Sequence, residues 1–303
     1  MAKEQSAAIE TFGLGKRYGR SDEFALHKLN ITVMPGEVYG YLGPNGAGKS
    51  TTIRLLMNFI QPSEGHAHIM GRDVVSESVA IKSAIGYLPG EFAYYPSMTG
   101  RQFLDYMSRL LPPKRKNSIS ELARRFDVPL NQKLANLSKG NRQKIGVIQA
   151  FAAEPDVLIL DEPTSGLDPL MQEVFFELVR ETKGRGGTVF FSSHNLNEVQ
   201  KICDRVGFIR GGEMIAEQTI KQLDQTAVQT YDIAFSEPSP VSELRKLKGV
   251  KITANTPHHV TIKIKGDLKP LFQLLARHKV SSLDRREIDL EGEFLHFYIG
   301  DKK

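Results

Sequence analysis

A glycine-rich loop near the start of the chain has the sequence Gly43-Pro44-Asn45-Gly46-Ala47-Gly48-Lys49-Ser50-Thr51, which fits the phosphate-binding pattern of Gly, four residues, Gly, Lys and Ser/Thr. The apolar run 38–42 before it predicts a buried strand, and 52–57 after it predicts a helix. Backbone N–H groups of such a loop and helix start point at phosphate oxygens. We therefore expect a nucleoside triphosphate here, with Lys49 on the β- and γ-phosphates and the Ser50 hydroxyl on Mg²⁺.

Length, composition and charge describe an ordinary globular chain. Its 303 residues are enough for one large and one small domain, and 40% are hydrophobic and 25% charged. A net charge of +5 suits an anionic ligand or a position near a membrane, but it is mild, and a solubilising surface is the favoured explanation. Cys203 is the single cysteine, which fits a reducing cytosol. No stretch has the apolar length of a signal peptide or a membrane span, so we expect a soluble protein that reaches a membrane only through a partner.

The segment before the phosphate loop has three strand-like stretches, at 8–14, 29–33 and 38–42. Tyr18 lies in the polar loop after the first of them. A lone loop tyrosine is commonly a partly packed surface residue. With a nucleotide as ligand, however, its ring could also stack on adenine. The residues alone leave both roles open.

A region of different character follows, from Pro89 to Phe151. Strands are expected just before it, at 66–70 and 85–88. The helices predicted within it are Gly100–Leu110 after the N-cap Thr99, Ile119–Phe126, and a helix that opens at Ser138 and runs to about Ala152. The basic loop 111–116 between the first two is typical of a solvated surface. The whole region is predicted to be a helical insertion in an α/β core.

The last helix of this insertion opens with Ser138-Lys139-Gly140-Asn141. Ser138 is a natural N-cap, and Gly140 lets another group approach the backbone closely. The unpaired N–H groups and the positive dipole end of the helix make a second anion site. Standing alone, the pattern indicates only a capped helix start.

Two carboxylates follow the apolar run 157–160, which predicts a central parallel strand buried on both faces. Asp161 and Glu162 then lie at the sheet edge where open α/β folds bind ligands. A buried acidic pair is costly without a cation, so we expect Mg²⁺ beside Asp161 and a water that Glu162 polarises. The alternative is a strand that merely ends in an acidic turn.

A histidine reaches the same sheet edge at the end of the next apolar strand, 188–192. An isolated histidine is often a surface residue, but His194 follows a neighbouring core strand and can reach a γ-phosphate. Between the two strands, the turn 165–169 contains Asp168 and leads into a helix at about 170–183. The elements expected beyond it are a helix at 196–202, strands at 205–209 and 214–216, and a helix at 219–225.

Together these motifs resemble the ATP-binding subunits of ABC transporters, in the family's order and over residues 7 to 225. The resemblance implies an α/β fold: a P-loop NTPase core of the ABC ATPase type with antiparallel β and helical subdomains. It places this ATP-binding domain at residues 1–226, with the helical subdomain at about 89–152. Two such subunits, as a homodimer or with a paralogue, would sandwich two ATP molecules head to tail.

The resemblance also assigns roles to single residues. Ser138 and Gly140 of one subunit would meet the γ-phosphate held by Lys49 of the other. Asp168 would couple the two sites, and His194 would hold the γ-phosphate with the attacking water. Tyr18, which the residues alone leave open, would stack on adenine.

Two positions depart from the family's pattern. The family signature Leu-Ser-Gly-Gly-Gln is here Leu-Ser-Lys-Gly-Asn, with Lys139 and Asn141 as the substitutions. Gly90 stands where the family has a glutamine that touches Mg²⁺, which puts in doubt the ligands of the metal and the role of this loop in sensing the membrane partner. Either Glu91 or a water could replace the glutamine.

The composition changes at about residue 229. Strands are predicted at 231–235, 250–254, 260–264 and 294–299, and helices at 241–246 and 268–277. This order fits a small ferredoxin-like α+β domain, which we place at residues 227–303. It weakly resembles the C-terminal appendages of drug- and bacteriocin-exporter ABC ATPases, and such a module could extend the dimer interface, bind a partner or sense a ligand.

The function expected is ATP hydrolysis, with Mg²⁺, that drives a separate transmembrane permease and exports a drug, antibiotic peptide or lipid-like substrate. The chain would then be cytoplasmic, on the inner face of the cell membrane, with no nucleic-acid partner. A soluble ABC ATPase acting on ribosomes or DNA is the alternative, but such chains carry two ATP-binding halves or long coiled coils. A regulator that binds ATP without hydrolysing it is a third possibility, which Glu162 and His194 disfavour.

Overall fold

The computed structural model of the chain describes residues 6–19, 23–110, 118–226 and 228–286. Two compact units make up the chain, Met1–Glu217 and Gln218–Lys303. The sequence predicted the boundary nine residues further along, between residues 226 and 227. The two positions differ because the helix at Ile220–Thr226 lies in the second unit.

The first unit alternates strands and helices. Its strands are β1 (Ile9–Arg17), β2 (Phe24–Val33), β3 (Val38–Leu42), β4 (Glu64–Ile69), β5 (Arg72–Asp73), β6 (Ile85–Leu88), β7 (Val157–Asp161), β8 (Thr188–Ser193), β9 (Arg205–Arg210) and β10 (Glu213–Thr219). Its helices are α1 (Lys49–Leu56), α2 (Ser78–Lys82), α3 (Gly100–Ser108), α4 (Ile119–Arg125), α5 (Lys139–Phe151), α6 (Pro169–Gly184) and α7 (Leu196–Ile202), with a 3₁₀ turn at Leu134–Asn136. The sequence did not predict β5 or α2.

A six-stranded sheet in the order β10-β9-β3-β8-β7-β6 forms the centre of this unit. The pairs β9/β3, β3/β8, β8/β7 and β7/β6 are parallel. Every residue of β3, β7 and β8 is buried, as expected for strands covered on both faces. In this register Leu42 lies beside Ser193 and Asp161 beside Ser192, so the ends of three strands meet at one sheet edge.

A second, antiparallel sheet has the order β2-β1-β4-β5. Strand β2 starts at Phe24, earlier than the predicted 29. Polar His27 and Lys28 hide this start in the sequence, and they lie at an irregularity in the pairing with β1, beyond which Leu26 and Phe24 pair again. One hydrophobic core joins the two sheets and α1, and it includes Ile9, Tyr39 and Ile53.

The helical insertion lies between β6 and β7. Thr99 caps α3 in a full capping box, with its hydroxyl accepting from Gln102 N at 3.2 Å and its N–H donating to the Gln102 side chain at 2.9 Å. The predicted basic loop 111–116 lies outside the described residues.

The second unit begins with α8 (Ile220–Thr226). The elements after it are β11 (Val228–Phe235), α9 (Val241–Leu244), β12 (Val250–Asn255), β13 (His259–Lys265), α10 (Lys269–Leu275) and β14 (Val280–Arg285). They follow the β-α-β-β-α-β order, and the sheet order is β12-β13-β11-β14. Strand β14 was not predicted, because its residues are mostly polar, and the strand expected at 294–299 lies outside the described residues.

Candidate active site

The phosphate loop connects β3 to α1 and needs glycine at two positions. Gly46 and Gly48 have φ of +79° and +108°, in the left-handed region that other residues rarely adopt. A Cβ at Gly48 would also lie 2.8 Å from the Ala25 carbonyl oxygen. The first-turn N–H groups of α1 have no partner within the helix, so the loop ends in a set of donors suited to phosphate.

Lys49 is buried and its ammonium group is held over this loop. Its Nζ donates to the carbonyl oxygens of Gly43 at 2.7 Å and Pro44 at 3.1 Å. The same Nζ lies 3.1 Å from Oε1 of Glu162, at the end of β7. The predicted phosphate ligand and the predicted catalytic carboxylate are therefore in direct contact.

Asp161 and Glu162 end β7 in different surroundings. Asp161 is buried, and its Oδ1 accepts a hydrogen bond from Ser192 Oγ at 2.6 Å. Glu162 has a φ of +48°, and its N–H donates to both the carbonyl and the hydroxyl oxygen of Ser192, at 3.2 and 3.1 Å. Ser192, which the sequence analysis did not single out, thus fixes both acidic residues.

His194 follows β8 and completes the cluster. Its Nδ1 lies 2.7 Å from Oε2 of Glu162, and because an ionised carboxylate only accepts, Nδ1–H is the donor. Nε2 can then donate to a phosphate only when the ring carries both protons, and it accepts when the ring is neutral. The imidazole is 60% exposed, so a ligand can reach it.

The residues expected to hold Mg²⁺ fit a small, hard cation. Ser50 lies in the first turn of α1 and is partly exposed, and Asp161 Oδ2 has a free edge because only Oδ1 bonds Ser192. Among the described residues no group of three or more His, Cys, Asp or Glu side chains could hold a metal. Two protein oxygens suit Mg²⁺ in sites where phosphates and waters supply the remaining ligands.

Gly90 lies directly against the carboxylate of Asp161. A Cβ at this position would be 3.1 Å from Asp161 Oδ2 and 3.3 Å from Cγ. Burial, with the Asp161 charge adding to it, raises the pKa of the nearby Tyr87 hydroxyl to about 12, so this side chain stays neutral. Glu91, the other residue of this loop, is exposed.

Tyr18 lies beside the first turn of α1. Its hydroxyl is 3.5 Å from Thr51 Oγ1, and the Lys16 ammonium lies 5.6 Å from the ring centre. The side chain is 45% exposed, which leaves ring surface open to a base. The structure thus places Tyr18 next to the phosphate loop.

The other predicted residues belong to two helix starts. Ser138 caps α5 by accepting from Asn141 N at 3.2 Å, and Asp168 caps α6 by accepting from Met171 N at 3.0 Å. Each of these two hydrogen bonds stays within its own helix start. Lys139 is exposed at the same helix start.

The start of α5 packs closely against the segment that leads from β7 to α6. A Cβ at Gly140 would lie 2.7 Å from the carbonyl oxygen of Gly166, so only glycine allows this approach. The buried Gln143 adds a second link, since its Nε2 donates to the Pro163 carbonyl oxygen at 3.1 Å. The sequence had indicated a close approach at Gly140 but not its partner, and it gave no signal for Gln143.

A parallel sheet, a phosphate loop with its lysine and a carboxylate pair on the neighbouring strand together define a P-loop nucleoside triphosphatase. The family model described as ABC transporter matches residues 26–165. The ABC transporter ATP-binding protein NatA of Bacillus subtilis is 37% identical over 66% of this chain and 83% of its own length. The daunorubicin resistance ATP-binding protein DrrA3 of Streptomyces coeruleorubidus is 36% identical over 76% of this chain and 74% of its own length. For the bacitracin transport ATP-binding protein BcrA of Bacillus licheniformis the identity is 35%, over 70% of both chains.

The fold agrees with these relatives. A solved ATP-binding subunit of an ABC transporter superposes with a TM-score of 0.65 at 28% identity, over 71% of this chain and 91% of the other. The chain belongs to the ATP-binding proteins of ABC transporters, and it is an ATPase of that type. The predicted fold class and family are confirmed. In the part of the chain that the structure describes, no helix is both long and apolar enough to cross a membrane.

Proposed function

We propose that the chain hydrolyses ATP at the Lys49–Glu162–His194 cluster and thereby powers a separate transmembrane permease. The observation that carries this proposal is the contact of Glu162 with both Lys49, at 3.1 Å, and His194, at 2.7 Å. Glu162 is the base that orients the attacking water, Lys49 neutralises phosphate charge, and His194 steadies Glu162 and the terminal phosphate. Tyr18 supplies a face for adenine.

Mg²⁺ belongs to the same proposal. Ser50 and Asp161 would hold it, and when bound it would neutralise the charge of the β- and γ-phosphates. Ser192 assists by fixing Asp161, since a carboxylate with one oxygen already bonded keeps the other aimed at one place.

Two subunits are needed to complete each site. Ser138, Lys139, Gly140 and Asn141 lie at an exposed or partly exposed helix start, whose N–H groups and dipole favour phosphate. We propose that this start contacts the nucleotide of a second subunit, in a homodimer or with a paralogue. The contact of Gly140 with Gly166 then links the trans phosphate to the turn that carries Asp168.

An apolar groove supports docking of the permease beside Gly90 and Glu91. The groove has a volume of about 580 Å³, and its lining includes Pro89, Phe92, Phe103, Met107 and Leu110. Large exposed apolar side chains cluster at it, with Val79 85% and Leu110 63% exposed. Because exposed apolar surface of this kind marks interaction sites, we propose that an amphipathic intracellular segment of the permease occupies it.

The transported substrate is proposed from the relatives. DrrA3 is named for daunorubicin resistance and BcrA for bacitracin transport. We infer export of a drug, an antibiotic peptide or a lipid-like compound, by a complex in which this chain lies on the inner face of the cell membrane. Relatives named for transport do not favour the alternative of an ATPase that acts on ribosomes or DNA.

The test is to purify the chain with its partner from detergent-solubilised membranes, identify the partner and reconstitute the pair in vesicles. We expect ATP-dependent substrate movement and a hydrolysis rate above that of the chain alone. Val79→Asp and Leu110→Asp should abolish the stimulation and keep basal hydrolysis, whereas Met34→Asp, at a 42% exposed position away from the groove lining, should change neither. Normal stimulation of both groove variants would contradict the docking proposal, and a chain without a membrane partner would contradict transport.

A further inference from the structure

A buried carboxylate lies in the first turn of α7, next to the active site. Glu198 is 9% exposed, and its two oxygens accept hydrogen bonds from two different segments of the chain. Thr164 Oγ1 donates to Oε1 at 2.8 Å, and Ser193 Oγ donates to Oε2 at 2.7 Å. Both hydroxyl residues are buried too. A carboxylate withdrawn from water in this way needs such charge-assisted bonds, and these two hydroxyl groups supply them.

The two bonds join the segments that carry the catalytic pair. Thr164 lies two residues after Glu162, in the loop that leaves β7. Ser193 directly precedes His194, and its carbonyl oxygen accepts from Gly43 N at 3.2 Å, where the phosphate loop begins. One side chain on α7 therefore connects three segments of the active site.

Helix capping does not account for the position of Glu198. A glutamate at the third position of a helix commonly bonds back to the N-cap N–H. In α7 the N-cap is Asn195, whose N–H donates instead to Ser193 Oγ at 2.9 Å. The Asn195 side chain accepts from Asn197 N at 2.9 Å, so Asn195 and not the carboxylate caps the helix.

The two hydrogen bonds that Glu198 accepts from Thr164 and Ser193 form a clamp between their segments. The backbone conformation of Glu162 shows why this clamp matters. Its φ of +48° is a left-handed conformation that is unfavourable for a residue with a side chain, and it persists only where the surroundings hold it. Ser192 holds the N–H of Glu162 from one side. Thr164, through Glu198, holds the chain just beyond it.

We infer that Glu198 is a positioning residue for ATP hydrolysis: it fixes the loops of Glu162 and His194 so that their 2.7 Å contact forms in the orientation needed for water attack. The inference rests on the catalytic roles proposed above for these two residues. Loss of the clamp displaces the water-activating groups while the phosphate loop still binds ATP. A misplacement of about 1 Å can cost about 100-fold in rate.

The experiment compares Glu198→Ala and Glu198→Gln in the purified full chain. We expect Glu198→Ala to lower kcat about 10- to 100-fold, with KM and the ATP dissociation constant within about threefold of wild type. Glu198→Gln keeps an amide oxygen that accepts from a hydroxyl group, so it should retain more activity than the alanine variant. The rates are compared at several protein concentrations, so that a change in dimerisation is not taken for a change in kcat.

Glu173→Gln is the matched control. It breaks a 2.7 Å ion pair that joins Glu173, on α6, to Lys201, on the same helix α7 as Glu198, and both side chains are about half exposed. Exposed pairs contribute little, so kcat and the melting temperature should stay near the wild-type values. A slow Glu173 variant would show that any damage to α7 slows turnover, and it would overturn the inference.

Several results separate the possibilities. A Glu198→Ala variant with wild-type kcat overturns the inference. A Glu198→Gln variant that is as slow as Glu198→Ala, and whose melting temperature is lowered as much, also overturns it, because this result would indicate a general structural role. If Glu198→Ala does not fold, Thr164→Val and Ser193→Ala are each expected to lower kcat with ATP affinity kept, and wild-type kcat in both overturns it. Glu162→Gln tests the underlying assignment: if that variant keeps its turnover, the proposed catalytic role fails and the inference fails with it.

Discussion

Replacing Glu162 by glutamine should both stop hydrolysis and tighten ATP binding. Glu162 Oε1 lies 3.1 Å from the Lys49 ammonium, with side-chain exposures of 20% and 6%. At an effective dielectric constant of about 20 the gross attraction at this distance is about 5 kcal/mol. Desolvation cancels most of it. The contact is an ion pair without hydrogen-bond geometry at Oε1, so its net value is at most that of a hydrogen bond between charged groups, about 1.5–3 kcal/mol.

Phosphate competes with Glu162 for this ammonium group. A neutral amide keeps at most a polar contact worth about 0.5–1.5 kcal/mol, so the substitution removes up to about 1–1.5 kcal/mol of competition. That corresponds to an ATP dissociation constant lower by about tenfold. Turnover should fall by a factor on the order of 100 or more, because the base and its charge leave together.

ATP binding is measured by titration calorimetry and hydrolysis by phosphate release. His194→Ala is the control, because it removes the 2.7 Å contact with Glu162 but leaves the Lys49–Glu162 pair. It should therefore lower turnover without tightening ATP binding, because the only phosphate contact that it changes is the one that it removes. An unchanged or weakened affinity of Glu162→Gln would refute the competition at Lys49, and near wild-type turnover would refute the catalytic role of Glu162.

Further predictions concern the two sides of the site. Lys49→Ala removes a charge-assisted phosphate contact and should weaken ATP binding about 10- to 100-fold, and an unchanged dissociation constant would count against the phosphate cradle. Ser138→Arg combined with Glu162→Gln should bind ATP normally yet fail to form the ATP-dependent dimer in size-exclusion chromatography, and a persistent dimer would contradict the trans contact. Gly90→Gln should leave ATP and Mg²⁺ affinity within a few-fold of wild type but alter stimulation by the permease. Glu91→Ala should impair transport more than basal hydrolysis; loss of Mg²⁺ binding would make Glu91 a metal ligand instead.

Elements with strong local signals could be predicted from the sequence. The bounds of β3, β6 and α7 agree with the prediction, because each is a run with clear apolar content between turn residues. Strand β14 could not be predicted, because four of its six residues are polar: Ser281, Ser282, Asp284 and Arg285. It forms because it pairs with β11. Strand formation there depends on a partner far away in sequence, and periodicity does not carry that information.

In the site, too, features with a local sequence pattern could be predicted and features that depend on tertiary contacts could not. The phosphate loop and the carboxylate pair could be predicted, because their chemistry requires fixed residue types at fixed spacing. The clamp at Glu198 could not be predicted, since Thr164 lies 34 residues away and only the register of β7 and β8 brings the two loops together. Hydroxyl and carboxylate residues at such positions have no distinctive pattern of their own.

Packing explains why glycine at position 90 is compatible with the site, where the sequence showed only that glycine replaces the family's glutamine. The structure gives a steric reason for glycine at this position. A Cβ at this position would be 3.1 Å from Asp161 Oδ2, the oxygen left free because Oδ1 accepts from Ser192. Any side chain there must push aside, by a few tenths of an ångström, the carboxylate that we propose holds Mg²⁺. Glycine therefore keeps one protein oxygen accessible to the metal at the position where the family's glutamine would offer another. Because water replaces a single neutral contact at a cost of only about 0.5–1.5 kcal/mol, we expect the exchange to leave metal affinity nearly unchanged.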